Sequence, residues 1–223
     1  MTRYAKQDHE ALVTALLELA PFIRKSSDRA WIREPALRLI DCVLSLNRRY
    51  DSFVVPRLDR FEREHPGVRT VAELRDLMAR YPSSDAFVAE VLHYRHATRA
   101  ATLGAVVNWL ATVSGKGSDA EQLLNLQTWA NNARPGDHTA LRIKGFGLAG
   151  FQYLRMLFGA NTTKPDIHIL HYVAASIGRP VSDVEALLLL ERAALEAGIS
   201  LRDLDTTIWE SSARRNAAGS SGH

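Results

Sequence analysis

A single carboxylate, Asp166, stands in a cationic stretch of this chain. From Leu123 to Ser182 its only acidic companion is Asp137, while Arg134, Arg142, Lys144, Arg155, Lys164 and Arg179 supply positive charge. An ionised carboxylate can stabilise a cation developing beside it, or align and deprotonate a water. Upstream of it, Gly145-Phe146-Gly147-Leu148-Ala149-Gly150 spells GxGxxG. That spacing suits two chemistries: a dinucleotide-binding loop, or a tight turn between helices whose glycines bring backbone N–H groups close to a phosphate. His168 and His171 stand three apart beside Asp166, but two histidines and one acid leave a zinc site short of a visible further ligand. Another group, Asn47-Arg48-Arg49-Tyr50, offers polar, cationic and aromatic side chains in succession. Such a corner suits insertion into nucleic acid, or it is a solvated helix end.

The elements that position these residues follow from periodicity. Leu12, Leu16, Leu17 and Ala20 repeat at helical spacing within His9 to Ile23, and Pro21 stops the run. Arg33 to Leu46 opens with Glu34-Pro35 and carries Leu37, Ile40, Val43 and Leu44 on one stripe, so the Asn47 corner closes a helix. Pro56 to Glu64 and Asp85 to Leu92 also read as helical, and Thr70-x-x-Glu73 is a capping box for a helix through Met78. Val91 to Ser118 contains no acid: Arg95 and Arg99 form a basic entrance to a helix over Leu103 to Val113. Further helices are expected over Asp119 to Ala130, Ile167 to Ile177, Asp183 to Ala197 and Leu201 to Glu210. Nothing alternates with period two, so the class is all-α.

An all-α chain decides between the two readings of the glycines. A dinucleotide fingerprint needs a buried strand before its first glycine and a second strand leading to its acid. Asp137 to Lys144 is helix-compatible, and Asn161-Thr162-Thr163-Lys164-Pro165 cannot be a core strand. The hairpin reading places a helix N-terminus at the glycines, where unpaired N–H groups grip phosphate without reading sequence.

Composition sets the bounds. With 223 residues and 46% hydrophobic content, the chain can form one large domain or two packed lobes. Cys42 is the only cysteine, which excludes an internal disulfide framework and a cysteine-ligated cluster of the usual four-ligand kind. The start MTRYAKQDHE lacks a signal-peptide core, and no apolar run approaches the roughly 18 residues of a spanning helix, so a soluble cytoplasmic protein without a membrane partner is expected. Net charge is +3, but Asp183 to Glu210 holds seven acids against Arg192 and Arg202. A basic middle and an acidic end fit a protein with one face on a polyanion; uneven surface charge with no partner is the alternative. Ser211 to His223 has the composition of a disordered tail. Trp31, Trp109, Trp129 and Trp209 are expected in the core rather than as base-stacking platforms.

Lys144-Gly145-Phe146-Gly147, the apolar helix to Phe158-Gly159 and then Pro165-Asp166-Ile167-His168-Ile169 resemble the helix-hairpin-helix DNA glycosylases of the endonuclease III type. In that family a GxG hairpin is followed about 20 residues later by an Asp in a V-D-T-H-like segment, and Leu44-Ser45-Leu46-Asn47 is similar to its L-S-x-Q stretch. The resemblance covers residues 30 to 180 in outline. It implies two helical lobes within residues 1–210 with the active-site cleft between them, residues 211–223 lying outside. It implies Asp166 as the catalytic carboxylate, and DNA contacts from Lys144, Gly145, Phe146, Gly147, Leu148, Ala149 and Gly150. It also implies that Asn47, with Arg48, Arg49 and Tyr50 as neighbours, fills the gap left when a base is flipped out. A structural role for Asp166, as N-cap of the next helix, is compatible with catalysis.

Departures from the family narrow the expectation. Bifunctional members carry a lysine shortly after the second hairpin glycine, whose amine attacks the sugar. Ala149 stands there and Lys144 is misplaced for that task, so the resemblance implies a monofunctional enzyme without lyase activity. His171 replaces the Arg that usually follows the D-T-H segment. No iron–sulfur cluster is expected; the resemblance implies at most a monovalent Na or K ion on the hairpin backbone of Lys144, Gly145 and Gly147. The expected partner is double-stranded DNA bearing a damaged or modified base, met by a monomer that is nucleoid-associated if bacterial. The alternatives are a non-catalytic helix-hairpin-helix protein that binds damaged or distorted DNA, and a helical protein-interaction domain.

Overall fold

The computed structural model describes residues 3–23, 25 and 33–220, and among these the chain is all-α with no strand. It enters on α1 (Arg3–Leu19). Then come α2 (Pro35–Leu44), α3 (Val55–Glu64), α4 (Val71–Met78), α5 (Ser84–Glu90), α6 (Ala97–Ser114), α7 (Asp119–Asn132), α8 (His138–Leu141) and α9 (Leu148–Leu157). It ends on α10 (Ile167–Ile177), α11 (Asp183–Ala197) and α12 (Leu201–Ser220). Two compact units result: Asp28–Ala160, and Met1–Ser27 together with Asn161–His223. Among the described residues no helix is long and apolar enough to cross a membrane.

In the Asp28–Ala160 unit, α2 is the central helix. Extended Glu34 precedes Pro35 at the first turn, where proline's fixed φ is already helical, and all but Arg38 of the ten helical residues are buried. Around it gather Leu58 and Phe61 of α3, Leu74 of α4, Phe87 of α5, Leu103, Val106, Val107 and Leu110 of α6, and Phe151 and Leu154 of α9. The Thr70 capping box forms as expected: the Thr70 hydroxyl accepts from Glu73 N while Glu73 accepts from Thr70 N. A second box, Ser118 with Glu121, starts α7. Trp109 and Trp129 meet edge to face at 5.2 Å and both lie against Phe151. These two tryptophans pack against the core, as their type suggests.

In the other unit, α1, α10, α11 and α12 share a core of Leu12, Leu16, Ile169, Val173, Leu190, Leu204 and Ile208. Left-handed Gly178 and Gly198 close α10 and α11, and both helices keep the boundaries expected from their periodicity. Two expectations are corrected here. Trp209 is 37% exposed rather than core. The last helix does not stop near Glu210 but continues to Ser220. Trp31 lies outside the described residues.

Candidate functional site

The hairpin forms as a turn between α8 and α9. Arg142, left-handed at φ 50°, ends α8, and Gly145 at φ +81° makes the reversal that a side chain would oppose. A Cβ on Gly145 would also lie 2.9 Å from Thr102 Oγ1. Phe146 is only 3% exposed and drops into the core, which anchors the turn from below. Gly147 is the N-cap of α9 and brings no side-chain acceptor, so the first N–H groups of α9 have no cap, and no acid stands in its first turn. Lys144, Gly145 and Gly147 are exposed, Ala149 is half-buried, and Leu148 and Gly150 are buried. Within the set expected on DNA, Phe146 and Leu148 therefore act as core anchors; their side chains are not at the surface.

The third glycine has a packing role. A Cβ at Gly150 would sit 3.0 Å from the Phe146 ring and 3.1 Å from Leu46 Cδ2, so only glycine lets the start of α9 close onto the residue preceding Asn47. Cys42 adds a thiol contact to the Gly150 carbonyl at 3.3 Å. The corner that ends α2 thus lies directly against the hairpin. Asn47, Arg48 and Arg49 are exposed, with Asn47 held in the left-handed region at φ 53°, which asparagine tolerates better than most residues. Tyr50 departs from the expected group: its hydroxyl turns inward to donate to Asp41 Oδ2 at 2.7 Å. Tyr153 of α9 donates to Asp41 Oδ1 at 3.1 Å, so this buried carboxylate joins α2, the π-helical turn Tyr50–Val54 and α9.

The N-terminal half of α6 ties the two together. Arg99 Nη1 donates to the Val43 and Leu44 carbonyls at 3.1 and 3.2 Å and to that of Leu46, capping the end of α2. One turn on, the Thr102 hydroxyl lies 2.8 Å from both the Thr98 and Lys144 carbonyls, and its single proton serves one of them at a time. Beside this, Arg48 donates to Tyr94 Oη at 3.1 Å, and Arg57 lies 3.9 Å above the Phe53 ring. Burial holds the Arg57 and Arg99 guanidinium groups below their ordinary pKa, and for Arg99 the Arg48 charge acts in the same direction. No described carboxylate forms an ion pair with Arg48, Arg49, Arg57 or Arg99.

The basic middle of the sequence is less basic at its surface. Arg155 is buried, with Nε donating to the Ala130 carbonyl and Nη1 to Gln152. Arg179 is engaged by Asp8 and Glu185, at 2.6 and 2.5 Å. Of the original six, Arg134, Arg142 and Lys144 are exposed without such an ion pair among the described residues, Arg179 is exposed but paired, and Lys164 is half-buried.

The backbone carbonyls expected to hold a cation already accept hydrogen bonds at two positions. The Lys144 carbonyl faces Thr102, and the Gly147 carbonyl accepts from Phe151 N at 3.0 Å as the first acceptor of the α9 ladder. Two of the three backbone oxygens are thus engaged, and no chemistry is routed through an ion there.

Asp166 lies in the other unit and caps α10. Its Oδ1 accepts from His168 N at 2.9 Å and Ile169 N at 3.4 Å, while Oδ2 lies 3.8 Å from Lys164 Nζ. Its side chain keeps 25% exposure. Behind it is a second acid that sequence reading passed over. Asp205 of α12 accepts the Thr163 hydroxyl at 2.6 Å and the Lys164 amide at 3.0 Å, both through Oδ1. Burial, with the Asp166 charge adding to it, pushes the Asp205 carboxyl up to about 6. His168 and His171 join no cluster of three or more potential metal-binding side chains among the described residues.

A family model described as "Domain of unknown function (DUF8548)" matches residues 10–213, and the chain belongs to that family. No curated protein matches the chain. No solved structure matches it either.

Proposed function

We propose that this DUF8548 protein is a monofunctional DNA glycosylase of base excision repair, hydrolysing the N-glycosidic bond of a damaged or modified base flipped out of duplex DNA. One observation carries the reading: the uncapped start of α9 and the exposed Asn47–Arg49 corner are packed against each other and tied by Arg99 and Thr102 of a single helix. Free N–H groups and a positive helix end favour a phosphate, while a polar side chain on a rigid corner beside them suits the space a flipped base vacates. Arg48 and Arg49 add charge with no competing carboxylate, which favours a polyanion over a neutral partner.

Asp166 supplies the chemistry in this reading. Leaving of the base builds positive charge on the sugar, and a carboxylate close to the anomeric carbon stabilises it and orients the water that completes hydrolysis. Oδ1 is held by two backbone amides, which fixes the carboxylate, and Oδ2, which faces the Lys164 ammonium at 3.8 Å, is the oxygen this reading assigns to that work. No lysine occupies the Ala149 position, and the amine nearest Asp166 among described contacts, Lys164, is paired with it. Borohydride is therefore expected to trap no covalent complex on abasic DNA; a trapped adduct would contradict the monofunctional reading.

A second reading is favoured by the capping geometry itself. If Asp166 serves α10 and nothing more, the protein is a non-catalytic helix-hairpin-helix DNA-binding protein that recognises damaged or distorted DNA. Duplexes carrying uracil, hypoxanthine, 8-oxoguanine and alkylated purines, followed by alkaline cleavage of abasic products, separate the two. Release by wild type and none by Asp166→Asn supports the enzyme, and binding without release from any duplex supports the second reading.

A further inference from the structure

Asp205 is an ionisable group where a neutral one would satisfy the same hydrogen bonds. Its Oδ1 accepts from Thr163 Oγ1 and Lys164 N, a task an asparagine oxygen performs equally well without the cost of burying a charge. It stands 39 residues from Asp166 in sequence and holds the Thr163–Lys164 turn that leads into the Asp166 cap. Three groups share this space: the Asp166 carboxylate, the Lys164 ammonium 3.8 Å from it, and Asp205. The neighbouring acid of α11, Glu191, is engaged by Thr162 Oγ1 at 3.1 Å, and from α10 the titratable neighbour is Asp166 as its cap.

We propose that Asp205 is a positioning residue for Asp166, pinning the Thr163–Lys164 turn and placing a second negative charge beside Asp166 and the Lys164 ammonium. The inference rests on the glycosylase reading for its consequence. With Asp205 ionised, the local potential is more negative, so a cationic sugar beside Asp166 is stabilised more strongly. With Asp205 protonated the turn is still held, since the carbonyl-like oxygen still accepts both bonds, but the extra field is gone. The arrangement gives a half-buried acid a use at a position where its charge weakens the fold.

Two measurements on the full chain decide it. The first is base release under single-turnover conditions, as a function of pH, for wild type and Asp205→Asn. Wild type is expected to rise through pH 6 to a plateau, and Asp205→Asn to lose that step and fall about tenfold at pH 8 with DNA affinity unchanged. A variant with the wild-type profile overturns the inference while leaving the glycosylase reading intact. The second needs no activity: the side-chain carboxyl of Asp205 is titrated by 13C NMR in wild type and in Asp166→Asn. Removing the Asp166 charge is expected to move the Asp205 midpoint down from about 6. An unmoved midpoint overturns the coupling. Were wild type to release no base at all, the glycosylase reading would fail, and the titration alone would still decide whether the two carboxylates act on each other.

Discussion

At the scale of single residues, Asp166 and Asp205 meet at one turn: Asp166 follows it as the cap of α10, and Asp205 of α12 accepts the Thr163 hydroxyl and the Lys164 amide. Its raised titration makes a stability prediction with a definite sign. A carboxyl that titrates at about 6 when folded and near 3.8 when unfolded weakens the fold as pH rises between those values, by at most about 3 kcal/mol above pH 6. Asp205→Asn is therefore expected to unfold at a higher temperature than wild type at pH 8, with the gap closing toward pH 4. A variant less stable than wild type at pH 8 would contradict that electrostatic account. Asn47 calls for a different test, because its left-handed backbone is reason enough for asparagine. Asn47→Gly keeps the turn and removes the side chain. If Asn47 fills the gap in the stack, base release should drop about tenfold or more with the melting temperature little changed.

At the scale of elements, the hairpin was legible as a turn because strands were absent on both sides of its glycines, and the boundaries of α10 and α11 followed from their leucine and isoleucine spacing and their glycine stops. What the glycines do individually was not legible. Gly145 reverses the chain, Gly147 starts α9, and Gly150 yields room to Phe146 and Leu46, a packing duty set by residues about 100 positions apart in sequence. The tie from α6 was hidden for the same reason: Arg99 reads as part of a basic entrance to the helix, yet its guanidinium caps carbonyls of α2. Gly145→Ala puts a Cβ at φ +81° and 2.9 Å from Thr102 Oγ1. It is expected to cost about 1–2 kcal/mol in chemical denaturation and to weaken DNA binding. Unaltered affinity in a destabilised but folded variant would show that the hairpin does not hold DNA.

At the scale of the whole molecule, the all-α class followed from periodicity, while the charge pattern misled in part. Of the six bases in the middle stretch, Arg155 is buried as a helix cap and Arg179 is neutralised by Asp8 and Glu185, so linear charge overstated the cationic surface. The cations left for a polyanion are fewer, chiefly Arg48, Arg49, Arg142 and Lys144. Affinity for undamaged duplex should accordingly fall with salt at a log–log slope of about −3 to −4, and a protein-interaction domain would show no slope. The central claim, that Asp166 breaks an N-glycosidic bond, is met most directly by one comparison: abasic-site formation by wild type and Asp166→Asn on the lesion duplexes, with DNA affinity measured in parallel. The account predicts product from wild type on at least one lesion and a loss of about 1,000-fold or more in Asp166→Asn at unchanged affinity. Equal rates for the two proteins, or no abasic product from wild type on any lesion despite tight binding, would contradict it.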